Sequence, residues 1–291
     1  MKVLTSPNTI KYIMDKYGFR FSKSLGQNFL IDASIVEGII EGADIGPDDM
    51  VLEIGPGIGV MTQTMAQRAR KVVAIEIDKA LLPVLDETLE GLDNVEIVSG
   101  DVLRVDLQKI IDEKLDGIAP KVVANLPYYV TTPIIMKFLE EQIPVTDIVV
   151  MVQKEVADRM CAGPGSKIYG ALSVVVQYYA EPSQIVKVPP HVFMPQPNVE
   201  STVVRLKKRT APPVELKSTE LFFKTIRSSF MKRRKTLLNG LSSGELAMSK
   251  DEVREALEAC GIDPKLRGET LDMAGFATLA NAIYDVKNAK K

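Results

Sequence analysis

Between residues 50 and 155 the sequence repeats one alternation, a short β-branched apolar run followed by a stretch with helical spacing. VLEI (51–54), VVAIEI (72–77), VEIVS (95–99), VVAN (122–125) and DIVVMVQ (147–153) read as strands. Residues 58–69, 79–90 and 132–142 read as the helices between them. Strands this apolar, separated by helices, belong to a parallel sheet covered on both faces, so an α/β fold is expected. A last strand, STVVRLK (201–207), precedes a proline-bearing break, APPVEL (211–216). Beyond it only helical patterns continue, with SSGELAMSKDEVREALEACG (242–261) running from a Ser cap to Gly261. The 291 residues therefore divide into an α/β domain over 1–210 and a small helical domain over 211–291.

Composition removes whole classes of function. No apolar run reaches the roughly 18 residues of a membrane span. The start, MKVLTSPNTIKYIMDKYGF, lacks a secretory apolar core, and with Asp15 and no Arg before Arg20 it does not resemble a transit peptide, so a cytoplasmic protein with no membrane partner is expected. Cys161 and Cys260 make no metal pattern, and His191 is the single histidine. Histidine triads and multi-histidine zinc sites are thus excluded, and no metal site is expected.

The first strand ends in Glu53-Ile54-Gly55-Pro56-Gly57-Ile58-Gly59 and turns into a helix. Such glycines let backbone turn sharply and approach a ligand closely. The second strand ends at Glu76, where a carboxylate can accept from both hydroxyls of a ribose, and the third ends at Ser99-Gly100-Asp101, where another can meet an adenine amine. The pattern narrows to NAD or S-adenosylmethionine. The dinucleotide fingerprint requires glycine at 60, which is Val60, and Pro56 removes an N–H that a pyrophosphate would use. S-adenosylmethionine fits better, with Gly55, Gly57, Glu76 and Asp101 as its candidate contacts.

The fourth strand ends Asn125-Leu126-Pro127-Tyr128. The exocyclic amine of a nucleobase is a poor nucleophile because its lone pair is delocalised into the ring. Two acceptors aimed at its hydrogens favour the pyramidal form and lie where positive charge develops. The Asn125 side-chain oxygen and the Leu126 carbonyl can serve, Pro127 fixes the turn, and Tyr128 can stack on the base. Charge adds a partner. From Arg205 to Gly240 eleven Lys or Arg face two Glu, a net of +9 against −11 for the remainder. Within FMKRRKTLLNGL (230–241), Lys232, Arg233, Arg234 and Lys235 stand beside an apolar stripe of Phe230, Leu237, Leu238 and Leu241 that would seat a helix, which points to nucleic acid.

Gly26-Gln27-Asn28-Phe29-Leu30, the glycine loop, Asn125-Leu126-Pro127-Tyr128, HVFMPQPNVES (191–201) and the basic segment together resemble the ribosomal RNA adenine N6-dimethyltransferase family, nearest its bacterial small-subunit branch. The resemblance covers about residues 20–245 and implies a Rossmann-like S-adenosylmethionine-dependent methyltransferase sheet with a small C-terminal helical domain. It implies that the N-terminal segment 1–30 closes over the cofactor, with Asn28 and Leu30 touching it. Gly55 would belong to the same pocket, Glu76 would hold the ribose, Asp101 the adenine, and Asn125 would border the methyl. Phe193 would stack on the target adenine opposite Tyr128, and a monomer would act on small-subunit ribosomal RNA within an immature 30S particle. An NAD-dependent oxidoreductase is disfavoured by Val60 and by the lack of a relay partner for His191. A ribosome-assembly factor whose methylation is secondary would bind immature subunits without needing methyl transfer.

Overall fold

The computed structural model describes residues 3–22 and 26–289. Its first half runs α1 (Pro7–Tyr17), β1 (Phe29–Leu30), α2 (Ala33–Gly42), β2 (Met50–Ile54), α3 (Val60–Ala66), β3 (Lys71–Glu76), α4 (Leu82–Thr88), β4 (Val95–Ser99), α5 (Leu107–Lys114), β5 (Lys121–Asn125), α6 (Thr131–Glu140) and β6 (Asp147–Gln153). The rest runs α7 (Lys154–Met160), α8 (Ala171–Tyr179), β7 (Ala180–Val188), β8 (Phe193–Met194), β9 (Ser201–Lys208), α9 (Thr219–Met231), α10 (Leu237–Ser242), α11 (Lys250–Ala259) and α12 (Met273–Asn288).

Seven strands form one sheet in the order β4-β3-β2-β5-β6-β9-β7. β2 to β6 pair in parallel, and β9 runs antiparallel to β6. The interior strand β2 is buried along its whole length, as a strand flanked by helices on both faces must be. β1 and β8 make a separate two-stranded ladder, Phe29 opposite Met194 and Leu30 opposite Phe193. These two-residue strands and β7 carry no readable periodicity, and the sequence did not indicate them. No helix among the described residues is long and apolar enough to cross a membrane.

The chain makes two compact units, Met1–Ala157 with Pro182–Lys208, and Asp158–Glu181 with Arg209–Lys291. Where the sequence suggested one division at 210, the chain divides after Lys208 and also sends α8 into the second unit. Aromatic packing explains the exchange. The Tyr178 ring lies 5.3 Å from Phe222 and 5.2 Å from Phe223, and Tyr179 stacks on Phe223 at 5.5 Å. Offset and edge-on pairs of this kind add to what burial alone contributes.

Beyond residue 210, two helices expected from the sequence are shorter. The basic segment is not one helix: α9 stops at Met231, Lys232 leaves helical geometry at φ −129°, and a turn closes from Lys235 N–H to the Lys232 carbonyl at 2.8 Å. Four consecutive cations repel one another, and an unbroken helix would also set Lys232 and Lys235 as repulsive i,i+3 neighbours. Thr236 then caps α10, which buries Leu237 and Leu241. Nor does the helix of 242–261 begin at Ser242. Ala247 sits at φ 51°, and α11 starts after Ser249, whose hydroxyl accepts from Glu252 N–H at 3.3 Å while the Glu252 carboxylate accepts from Ser249 N–H at 2.8 Å. This reciprocal cap satisfies two otherwise orphaned donors. Ser249→Ala is expected to lower the unfolding free energy by about 1 kcal/mol in urea titration.

Candidate active site

One cavity collects the C-terminal ends of β2, β3, β4 and β5, enclosing about 1130 Å³ including its open mouth. Parallel sheets bind ligands at this edge. The glycine loop forms one wall. Gly55 donates its N–H to the Ile75 carbonyl at 2.9 Å and turns at φ 69°. A Cβ built on Gly55 meets nothing within 4 Å, so the space over this residue is open. Gly57, at φ 62°, has the opposite constraint: its Cβ would lie 3.0 Å from the Phe29 ring. Only glycine gives both the left-handed turn and the close approach of β1.

Glu76 ends β3 on the cavity wall, 4% exposed. One carboxylate oxygen accepts from Asp78 N–H at 2.7 Å and the other from Gly57 N–H at 3.3 Å, which ties loop to strand. Burial raises its pKa above the ordinary carboxylate range, against those two bonds. Asp101 also lines the cavity; one of its oxygens accepts from Leu103 N–H at 2.9 Å. Behind the loop, Glu53 is fully buried. Thr62 donates to one of its oxygens at 2.5 Å, and the other has no partner among the described residues. Desolvation pushes its pKa up to about 8, opposed by the Thr62 bond and reinforced by the Glu76 charge.

The opposite wall is Asn125-Leu126-Pro127-Tyr128. The Asn125 amide nitrogen donates to the Asn28 carbonyl at 3.1 Å. That bond fixes the flip of the amide, so Oδ1 is the atom left to accept from a ligand. The Leu126 side chain is buried, leaving its backbone as the polar group this residue can offer. Pro127 O accepts from Val130 N–H and from the Thr131 hydroxyl, both at 3.1 Å, which holds the turn into α6. The Tyr128 hydroxyl pairs with the buried Ser201 hydroxyl at 2.8 Å, orienting its ring.

Asn28, Leu30, Gly55, Gly57, Glu76, Asp101, Asn125, Leu126, Pro127, Tyr128 and Phe193 all line this one cavity. Phe193 is only 4% exposed and belongs to the core cluster as well as to the lining, held there by the β1–β8 ladder. The basic group does not join them. Lys232, Arg233, Arg234 and Lys235 are exposed and lie in the second unit. Arg233 donates to the Lys167 carbonyl; none of the four makes an ion pair among the described residues. Sequence reasoning missed the partners that hold the site: the Asn28 carbonyl, Ser201, and Gln27, whose amide bridges Ser22 N–H and Asp78 at 2.8 Å each. A backbone carbonyl has no residue-type signature, so only the fold reveals the first of these.

The ribosomal RNA adenine dimethylase family matches residues 18–285. The chain belongs to that family. The dimethylase relatives include the ribosomal RNA small subunit methyltransferase A of Alkaliphilus metalliredigens, 57% identical over 97% of this chain and 99% of that one. The Clostridioides difficile protein of the same name is 56% identical over the full length of both. Among solved structures, a dimethyladenosine transferase from Plasmodium falciparum superposes with a TM-score of 0.76 at 25% identity, over 89% of this chain and 98% of that one. The 23S rRNA methyltransferase ErmE gives 0.68 at 26% identity, over 88% and 99%.

The cavity of this dimethylase fits S-adenosylmethionine, the methyl donor. Its described lining carries two carboxylates, Glu76 and Asp101, and no Lys or Arg. That charge suits a sulfonium and opposes a pyrophosphate, which removes the dinucleotide alternative. Open space over Gly55 and a buried carboxylate at Glu76 provide room and acceptors.

Glu53 makes a pH prediction. In the folded chain it keeps its proton to about pH 8, whereas unfolded it ionises near 4.5. Between those values the folded state binds more protons, so stability falls as pH rises through the window, by at most about 1.4 kcal/mol per unit. Glu53→Gln mimics the protonated form and removes this slope. Urea unfolding should show the variant gaining on the wild type by roughly 2–3 kcal/mol between pH 5.5 and 8.5; parallel curves would count against it.

Proposed function

We infer that this protein transfers methyl groups from S-adenosylmethionine to N6 of adenosine in small-subunit ribosomal RNA. The observation that carries the reading is the Asn125 amide, pinned through its nitrogen to the Asn28 carbonyl, with Oδ1 left to accept at a cavity lined by Tyr128 and Phe193. Bound cofactor supplies an electrophilic methyl carried on a sulfonium. Asn28, Leu30, Gly55, Gly57, Glu76 and Asp101 would hold it.

The chain's own groups then prepare the amine. Asn125 Oδ1 and the Leu126 carbonyl accept its two N–H bonds, which draws the lone pair out of ring conjugation. Asn125 Oδ1 and the Leu126 carbonyl would flank N6 where positive charge grows on methyl transfer, so their hold would be strongest in the transition state. The alkylated nitrogen is acidic, so water takes the proton and no general base is required. Tyr128 and Phe193 would clamp the base faces, and a base in a loop leaves its stack more readily than one in a duplex. The relatives named above support small-subunit RNA as the target. The finer reading is two adjacent adenosines of a hairpin loop near the 3′ end, taking four methyl groups in all. They would be modified by a cytoplasmic monomer acting on an immature 30S particle.

Nucleoside mass spectrometry of unmethylated small subunits incubated with protein and cofactor should reveal N6,N6-dimethyladenosine. Asn125→Ala should nearly abolish that product through kcat, with RNA binding close to wild type. A single-turnover rate within about threefold of wild type, ~0.65 kcal/mol of barrier, would remove the amine-polarising role.

The exposed Lys232–Lys235 turn is the proposed phosphate contact. Displaced counterions make log affinity fall linearly with log salt, at about 0.7–0.9 per phosphate. Arg233→Gln with Arg234→Gln should flatten the slope for subunit binding by roughly 1.4–1.8 and leave cofactor affinity unchanged. An unaltered slope would assign these arginines to solvent.

A further inference from the structure

Beside the anchored Tyr128 stands a second tyrosine that the reading above leaves unused. Tyr129 lines the same cavity, yet it is 61% exposed, whereas Tyr128 is half-buried and bonded to Ser201. Among the described residues the Tyr129 hydroxyl has no hydrogen-bond partner. Its ring edge lies 3.6 Å from the position a Gly26 Cβ would take, so it flanks the Gly26–Asn28 segment at the mouth. The backbone beneath it is held by the two bonds to Pro127 O.

A single exposed aromatic is ordinary on a protein surface. This one sits at the rim of the concave site that would receive a base, next in sequence to the residue proposed to stack on it, and its backbone is fixed. Single-stranded RNA is held largely by stacking bases on aromatic side chains. With a target adenosine turned into the cavity, the nucleotide joined to it by one phosphodiester is left at the mouth.

We propose that Tyr129 is a substrate-positioning residue whose ring stacks on the nucleobase next to the target adenosine. It thereby keeps a loop nucleotide at the mouth while its neighbour is methylated. This inference rests on the RNA adenosine reading of the same cavity.

The test uses the full-length protein and unmethylated small subunits, with Tyr129→Ala, Tyr129→Leu and Tyr129→Phe. Stacking predicts that Ala and Leu raise the KM for subunits roughly 5- to 150-fold, while Phe stays within about twofold. Cofactor affinity by calorimetry should be unchanged in all three, and thermal unfolding should verify that each folds. A wild-type KM for Tyr129→Leu would mean that the side chain only fills space and would overturn the proposal. So would a loss of cofactor affinity in Tyr129→Ala matching its rise in KM, which would make Tyr129 a prop for the Gly26–Asn28 segment. Failure of the unsubstituted protein to methylate subunits would instead overturn the adenosine reading, and this inference with it.

Discussion

Everything in the site depends on parallel strands ending in step. Ile54 pairs with Ile75 and with the level of Ala124, and Glu76 pairs with Ser99. Each strand therefore releases its loop at one edge of the sheet, and residues as far apart in sequence as Gly55 and Tyr128 meet there. A shift of one residue in any pair would turn that strand's side chains to the opposite face. The ladder hydrogen bonds thus do more than stabilise the core. They set the spacing between a carboxylate, the glycine turn bonded to it and a carboxamide on the opposite wall.

A second layer of bonds converts that coarse placement into fixed orientation. The Asn28 carbonyl decides which end of the Asn125 amide meets a ligand, Ser201 decides where the Tyr128 ring points, and Gly57 N–H holds Glu76. Two of these partners come from outside the β2–β6 core, from the stretch before β1 and the start of β9. The short β1–β8 ladder holds the stretch before β1 beside Phe193 at the cavity, and the pairing of Ser201 with Gln153 of β6 places the other stretch. Such preorganised dipoles act on a reacting group without first having to reorient.

Much of this was legible beforehand. The strands 95–99 and 147–153 carry apolar runs long enough to define their own ends, and the structure gives them those bounds. The residues quoted for the glycine loop, Glu76, Asp101 and Asn125 reach one cavity because strand-end position is a local property. The remainder is decided by tertiary contacts. The β7 strand, AEPSQIVKV, includes Pro182 and polar residues that mask its period. The basic segment breaks at Lys232, a position that apolar spacing does not mark. Phe193, buried in the core cluster yet facing the cavity, shows that packing and binding are not exclusive roles for one ring.

The interleaving of the two units has a consequence for how the chain can be made. Reading from the N-terminus, the polypeptide passes from one unit to the other after Ala157, Glu181 and Lys208. A ribosome producing it therefore releases Tyr178 and Tyr179 well before Phe222 and Phe223, the rings against which they pack. For some forty residues of synthesis those tyrosines lack the two phenylalanines. A fragment ended near residue 210 would keep that condition permanently, presenting an unmatched aromatic surface of the kind that drives nascent chains to associate.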